Sequence, residues 1–175
     1  MKFENILIIN ICKERLHYYE FVRPIEEIVN GMKQKKIVVR EYGKITYSDI
    51  KKASHIIICG TSLQDNDYLN HLENFNWLLN CKKPVLGICG GMQIIGSKLG
   101  GIVKKKTEIG FYKEVFKKEF LGMNGENEVY HLHNHYVDFK NVDEFEIISE
   151  SDIGVSQAVK HKKKEIYGVL FHPEV

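Results

Sequence analysis

Residues 84–93 read Pro-Val-Leu-Gly-Ile-Cys-Gly-Gly-Met-Gln, a short apolar run that passes directly into a glycine-rich turn. The apolar run predicts a strand buried on both faces, and the residues after the turn predict a helix. Cys89 lies at the turn itself. Small residues surround it, as a sharp strand-to-helix turn requires: Gly87, Gly90 and Gly91. This stretch therefore predicts an α/β fold that holds a cysteine at the carboxyl edge of its sheet, where open α/β sheets bind ligands.

The rest of the first half alternates between the same two patterns. Strands are predicted at 5–11, 36–42, 55–59 and 84–88, and helices at 19–33, 48–52, 67–80 and 90–99. A β-α-β-α order implies an open, mostly parallel, twisted sheet that is flanked by helices. Ser48 is the predicted N-cap of the second helix.

The second half has a different character, with short strand patterns separated by turn residues. The candidates are residues 100–103, 111–116, 128–132, 144–149, 155–160 and 165–171. Glycines at 122 and 125 mark a turn between the second and third of them. We expect a small antiparallel patch here, with the last strand returning to the central sheet. Because no linker-like segment or repeat interrupts the chain, residues 1–175 are predicted to form a single domain.

The composition excludes several classes of partner. A net charge of +2, with 43% hydrophobic and 27% charged residues, gives no reason to expect a nucleic-acid partner, and the short lysine runs are interpreted as solvated surface. No apolar run is long enough to span a bilayer, and no signal peptide is evident, so we expect no membrane association. The four cysteines form no metal-binding pattern and are typical of a reducing cytoplasm.

The C-terminal residues 171–175, Phe-His-Pro-Glu-Val, offer a second reactive segment after an apolar strand. His172 can reach the same sheet edge as Cys89, and Glu174 can accept the second ring proton and fix the tautomer. A helix N-terminus and a neighbouring imidazolium both favour a thiolate at Cys89. The two segments together predict a nucleophile, a base and an orienting carboxylate.

These two segments resemble the nucleophile and His/Glu motifs of class I (triad) glutamine amidotransferases. The resemblance is greatest to the glutaminase part of GMP synthetase, and it spans roughly residues 55–175. Further matching stretches are 99–103, 108–110, 157–161 and 166–170. The resemblance implies a flavodoxin-like α/β fold of the class I amidotransferase type, and relatives usually continue with a helix beyond the position of Val175.

The resemblance also implies a mechanism. Cys89 attacks the side-chain amide of glutamine and forms a γ-glutamyl thioester, His172 moves the proton, Glu174 orients His172, and water releases glutamate. No cofactor is implied. The ammonia would pass to an ATP-pyrophosphatase synthetase on a separate chain, because this sequence contains no ATP-binding loop of that kind.

Other site residues follow from the same resemblance. The amides of Gly60 and Gly90 correspond to the oxyanion hole, and Gln93 corresponds to a residue that holds the glutamine substrate. The chain departs from the family where Gly60-Thr61-Ser62 replaces Gly-Gly-Pro, and where residues 131–138 read His-Leu-His-Asn-His-Tyr-Val-Asp. Either Asn134-His135 or His133-Asn134 occupies the position of a family Ser-His-x-Asp element, and we assign Asn134 and His135 to substrate binding.

Three alternatives remain at this point. The same triad would serve a stand-alone γ-glutamyl hydrolase or cysteine peptidase, because both chemistries pass through a thioester. A non-catalytic regulatory relative is a second alternative, favoured by the altered loops. His131, His133 and His135 alternate along one predicted strand and would share a face, which is compatible with a metal site. Our prediction is nonetheless that the protein holds no metal.

Overall fold

The computed structural model describes residues 4–175, so residues 1–3 of the predicted domain lie outside the described part. Seven strands form one sheet in the order β2-β1-β3-β4-β9-β8-β7, and β5 and β6 form a separate two-stranded sheet. The strands are β1 (Glu4–Asn10), β2 (Lys35–Glu41), β3 (His55–Ile58), β4 (Val85–Ile88), β5 (Ile102–Phe120), β6 (Met123–Asp138), β7 (Phe145–Glu150), β8 (Ser156–His161) and β9 (Ile166–Val169).

The large sheet is mostly parallel. Strands β1 to β4 and β9 pair in parallel, whereas β8 runs antiparallel to β9 and β7 antiparallel to β8. The predicted α/β class is therefore confirmed, and so is the return of the last strand to the central sheet. The buried isoleucines of β1 show why an apolar run predicted a two-faced strand: Ile8 and Ile9 are both fully buried and belong to the clusters on opposite faces of the sheet.

The helices cover both faces but differ in detail from the predictions. They are α1 (Arg15–His17), a π-helical turn (Tyr18–Val22), α2 (Arg23–Asn30), α3 (Tyr47–Lys52) and α4 (Gly90–Lys98). The predicted continuous helix at 19–33 is thus three consecutive segments that start earlier, at Arg15. The N-cap of α3 is Thr46 rather than Ser48, because Thr46 and Asp49 form a reciprocal capping box.

The predicted α-helix at 67–80 is wrong in type. The chain forms two 3-10 segments here, Asp67–Asn70 and Leu72–Asn80. Phe75 and Leu78 are three residues apart and both fully buried, a spacing that places them on one side of a 3-10 helix. A three-residue spacing of apolar side chains fits either helix type, so periodicity did not separate them.

The short strands predicted between 100 and 132 are also wrong in extent. They merge into the long hairpin of β5 and β6, 19 and 16 residues in length, whose turn is at Leu121 and Gly122 rather than at 122–125. Charged side chains occupy the exposed face of this hairpin and interrupt the apolar pattern, while the cross-strand ladder supplies the backbone hydrogen bonds. A bulge between Lys105 and Glu108 shifts the register of the pairing.

The sheet brings the two reactive segments to one edge. Gly87 and Ile88 of β4 pair with Gly168 and Val169 of β9, and both strands run in the same direction. The residues that follow the two strands therefore emerge side by side. Within residues 4–175, none of the helices has the length and apolar character needed to cross a bilayer.

Candidate active site

Cys89 lies at the turn between β4 and α4 in a strained backbone conformation, with φ 47° and ψ −103°. Such values are rare for a residue with a side chain, and they cost free energy that the surroundings must compensate. A Cβ on Gly91 would lie 2.2 Å from the carbonyl oxygen of Ile58, and one on Gly87 would lie 2.6 Å from backbone atoms of Gly91. The glycines are thus required by the close approach of strand and helix.

His172 follows β9 and is oriented by Glu174. Its Nδ1 lies 2.7 Å from Oε1 of Glu174, and both side chains are buried. Burial lowers the pKa of His172, but the neighbouring Cys89 and Glu174 raise it more strongly, to about 10 from an ordinary 6.5. With Nδ1 engaged, Nε2 has no well-directed hydrogen bond to any described residue and is free for proton transfer. The arrangement suits a thiolate–imidazolium pair.

Strand β6 contacts both reactive residues through its backbone. The amide of His172 donates to the carbonyl of Tyr130 at 2.8 Å, and the Cys89 thiol donates to the carbonyl of Leu132 at 3.6 Å. The amide of Cys89 in turn donates to the carbonyl of Val169 at 2.8 Å, next to the end of β9. The antiparallel hairpin therefore fixes the relative position of Cys89 and His172.

The two glycines assigned to the oxyanion hole lie next to this pair. A Cβ on Gly60 would be 2.7 Å from Cε1 of His172 and 3.3 Å from Cβ of Cys89. A Cβ on Gly90 would be 2.6 Å from Ile11 and 3.0 Å from the Tyr68 ring. Gly60 therefore lies in contact with His172 and Cys89, and Gly90, which directly follows Cys89, lines the cavity beside it.

Gln93, on the first turn of α4, is buried beside Cys89, and each polar atom of its side-chain amide makes one hydrogen bond. Its Nε2 donates to the carbonyl of His135 at 3.0 Å, and its Oε1 accepts from the phenol of Tyr68 at 2.8 Å. The ring of His135 contacts the Asn134 side chain, with 2.7 Å between Nδ1 and Oδ1. Both proposed substrate residues of β6 thus lie close to Gln93, His135 through its backbone.

The cavity beside Cys89 is small, with a volume of about 10 Å³. Pockets for small molecules usually measure several hundred Å³, so this site is closed around the thiol. Its lining comprises Thr61, Ser62, Leu63, Asn66, Tyr68, Cys89, Gly90, Gln93, Leu132, His133 and Asn134. A much larger cavity, about 1060 Å³, lies over the carboxyl ends of β1 and β2 and is not lined by Cys89 or His172.

Sequence reasoning missed Tyr68 and the backbone of Tyr130 and Leu132. Tyr68 falls within the predicted helix at 67–80 without a role of its own there, and its position against Gln93 depends on the 3-10 geometry of residues 67–70. The carbonyls of Tyr130 and Leu132 carry no sequence signal, because any residue supplies one. Only the hairpin register brings them to the site.

Comparison with known proteins gives the family. The family model of the class I glutamine amidotransferases matches residues 18–175. A GMP synthase [glutamine-hydrolyzing] subunit of Methanocaldococcus jannaschii is 44% identical over 101 residues, which cover 55% of this chain and 54% of that protein. The GMP synthase of Staphylococcus aureus is 37% identical over 102 residues, which cover 56% of this chain and 20% of that protein. The aligned part is thus about half the length of the methanogen relative.

Solved structures agree in fold. A Thermoplasma acidophilum protein described as a GMP synthase subunit superposes with a TM-score of 0.81 at 26% identity, covering 100% of this chain and 86% of that one. A glutamine amidotransferase from Thermotoga maritima has a TM-score of 0.78 at 20% identity, covering 100% and 78%, which supports the fold alone. With the match of the family model over most of its length, the chain belongs to the class I glutamine amidotransferases.

Proposed function

We propose that this protein hydrolyses the side-chain amide of glutamine through a γ-glutamyl thioester on Cys89. The observation that carries the proposal is the strained turn, φ 47° at Cys89, set beside a histidine that Glu174 holds at 2.7 Å. A cysteine is kept in such a conformation where its sulfur must project from the sheet edge. The membership of the family and the likeness to the GMP synthase subunit of M. jannaschii support the same chemistry.

The proposed steps follow from the positions of the protons. Cys89 transfers its thiol proton to Nε2 of His172, while Nδ1 stays hydrogen-bonded to Glu174. The thiolate attacks the amide carbon, and the imidazolium returns its proton to the leaving nitrogen as ammonia departs. A water molecule, deprotonated by the now neutral His172, then cleaves the thioester and releases glutamate. Atoms and charge balance without any cofactor.

The remaining residues are assigned to binding. The backbone amides of Gly60 and Gly90 stabilise the developing oxyanion. Gly60 lies against Cys89 and His172, and Gly90 lies against Tyr68 in the lining of the Cys89 cavity. Gln93 and Asn134 line the Cys89 cavity and contact the substrate, and His135 supports Gln93 through its carbonyl at 3.0 Å. In this arrangement His135 acts by positioning Gln93.

We further propose that the ammonia is consumed by an ATP-pyrophosphatase synthetase on a separate chain, as part of GMP synthesis. The relatives named as GMP synthase subunits support this partner. The narrow cavity of about 10 Å³ fits such dependence, because a site that a partner widens would hydrolyse glutamine slowly on its own. The four free cysteines agree with action in the reducing cytoplasm.

The first test is release of glutamate and ammonia from glutamine, with and without the separate synthetase chain of a GMP synthase. We expect slow hydrolysis alone, stimulation by the partner, and loss of activity in Cys89→Ala. Cys81→Ala is the matched control, since Cys81 is also buried and free but lies outside the site. Full activity in Cys89→Ala would refute the thioester, and faster cleavage of γ-glutamyl peptides than of glutamine would favour a γ-glutamyl hydrolase instead.

A further inference from the structure

A buried cluster of histidine and glutamate side chains lies on the β5–β6 hairpin and takes no part in the proposed hydrolysis. Glu108, His131 and His133 each offer one ligand atom, and these atoms all lie within 4.8 Å of one another. The two histidines are 0% and 2% exposed. Burying this many ionisable groups is costly unless their charges and hydrogen bonds are satisfied.

Direct hydrogen bonds satisfy them only in part. Nε2 of His133 lies 2.9 Å from Oε2 of Glu108, and Nδ1 of His131 lies 3.9 Å from the same oxygen. Neither ring nitrogen has a hydrogen-bond partner among the described residues, because 3.9 Å is too long for a hydrogen bond and the closer His133 nitrogen is not aligned with the carboxylate oxygen. The three ligand atoms thus lie close together without hydrogen-bonding to one another, which is the arrangement of ligands around a metal ion.

We propose that Glu108, His131 and His133 bind one divalent transition-metal ion, with Zn²⁺ as the expected metal. Tetrahedral Zn²⁺ holds nitrogen and oxygen ligands at about 2.0–2.2 Å, which places neighbouring ligand atoms roughly 3.4 Å apart. The separations of 2.9 and 3.9 Å lie on either side of that value. Two imidazoles and a carboxylate suit zinc far better than Mg²⁺ or Ca²⁺, which prefer oxygen ligands.

Each ligand also has an orienting partner. Nδ1 of His133 lies 3.2 Å from the carbonyl of Lys106, and donating there leaves the Nε2 lone pair for the metal. Nε2 of His131 lies 3.3 Å from Oε1 of Glu114, an ion-pair contact without an aligned hydrogen bond, and Nδ1 faces Glu108. Metal-binding histidines usually donate their second ring proton to a carbonyl or a carboxylate in this way.

The outer partners are themselves fixed by hydrogen bonds. Gln157 donates to Oε2 of Glu108 at 2.8 Å, and Ser149 donates to Oε2 of Glu114 at 3.1 Å. Two carboxylates and two neutral imidazoles carry a charge of −2, which a divalent cation cancels inside this buried site.

The bulge in β5 explains why the cluster contains two of the three alternating histidines. Glu108 pairs with His133, whereas Lys105 pairs with His135, so two residues of β5 stand opposite Asn134 alone, one more than regular pairing gives. His135 is only partly buried, and its ring contacts Asn134 instead. The expectation of no metal weighed the cysteine spacing and the three alternating histidines, but it did not consider a carboxylate from the opposite strand.

The ion would join strands β5 and β6 to each other next to Cys89. Leu132 stands between the two histidine ligands, and its carbonyl accepts from the Cys89 thiol at 3.6 Å. Glu108 reaches β8 through Gln157. The role of the metal here is to position strand β6, and none of the steps proposed for glutamine requires it.

The test is titration of the metal-free full-length protein with Co²⁺ and Zn²⁺ under reducing conditions. We expect one Co²⁺ per chain, with the visible absorption of a tetrahedral site and without a thiolate-to-cobalt band, and its displacement by Zn²⁺. Excess Zn²⁺ should raise Tm by about 5 °C or more, while Mg²⁺ should not. The Cys89→Ala variant should bind equally well, which separates this site from the Cys89–His172 pair.

His131→Gln and His133→Gln should lose the bound ion, whereas His55→Gln, at an exposed histidine, should keep it. Full uptake by the two cluster variants, or loss of uptake in Cys89→Ala, would overturn the assignment. If the cluster variants do not fold, the titration of the wild-type protein still tests the site. The site is refuted if the wild-type protein shows neither saturable one-to-one metal binding nor a rise in Tm.

Discussion

Gly60 and His172 are in such close contact that a single added methyl group would collide with the histidine ring. The Cβ of an alanine at position 60 would lie 2.7 Å from Cε1 and 3.3 Å from Nδ1 of His172. The histidine is held from the other side by Glu174 and through its own amide by Tyr130. The ring therefore has little room to move away.

Gly60→Ala should lower kcat/KM for glutamine about a hundredfold or more, because a displacement near 1 Å at a catalytic base is costly. The far-ultraviolet circular dichroism should stay unchanged, since the clash is with one side chain. Gly43→Ala is the matched control, because a Cβ at Gly43 meets nothing within 4 Å. Normal activity in Gly60→Ala would show that the ring can relocate freely.

The pH dependence of the free energy of unfolding should report the interaction of protonated His172 with Cys89 and Glu174. Its pKa is raised from 6.5 to about 10 in the folded protein, so the native state retains a proton that the unfolded chain has released between these values. The stabilisation is complete below about pH 6.5 and is lost as the pH rises through 10, with a slope of at most about 1.4 kcal/mol per pH unit.

Urea unfolding of wild-type protein and His172→Gln between pH 6 and pH 10 measures this effect. The difference in free energy of unfolding between the two proteins should shrink as the pH rises. A difference that stays constant over the whole range would contradict a raised pKa at His172.

Gly91→Ala should destabilise the fold itself. The new Cβ would lie 2.2 Å from the backbone carbonyl of Ile58, which cannot move without disturbing β3. We expect the free energy of unfolding to fall by about 3 kcal/mol or more, against less than about 0.5 kcal/mol for Gly43→Ala. Equal urea midpoints for the two variants would disprove the close approach of strand and helix at this turn.

Tyr68→Phe tests whether Gln93 is positioned by its buried hydrogen bond. The substitution removes the hydroxyl group that donates to Oε1 of Gln93 at 2.8 Å and leaves that oxygen without a hydrogen bond. If Gln93 contacts glutamine, KM should rise about fivefold or more, equivalent to about 1 kcal/mol, with a smaller change in kcat. Tyr42→Phe, which removes a hydrogen bond to Asp67 outside the Cys89 cavity, should leave KM unchanged.

Much of the fold could be predicted because local patterns report it directly. The apolar runs of β1, β3 and β4 and the glycines around Cys89 indicated a parallel sheet with a turn at its carboxyl edge, and the structure agrees. The β5–β6 hairpin was not predicted at its full length, since its ladder joins residues far apart in the sequence. The 3-10 segments were missed because a three-residue apolar spacing does not separate helix types.

The sequence by itself determined the identity and order of the reactive groups: a cysteine between small residues after one strand, and a histidine with a glutamate after another. Tertiary structure alone decided which atoms face them. The hairpin register sets the carbonyls of Tyr130 and Leu132 against His172 and Cys89, and brings Glu108 opposite His133. Such contacts depend on pairing between distant segments and on backbone atoms common to all residues, so no local pattern encodes them.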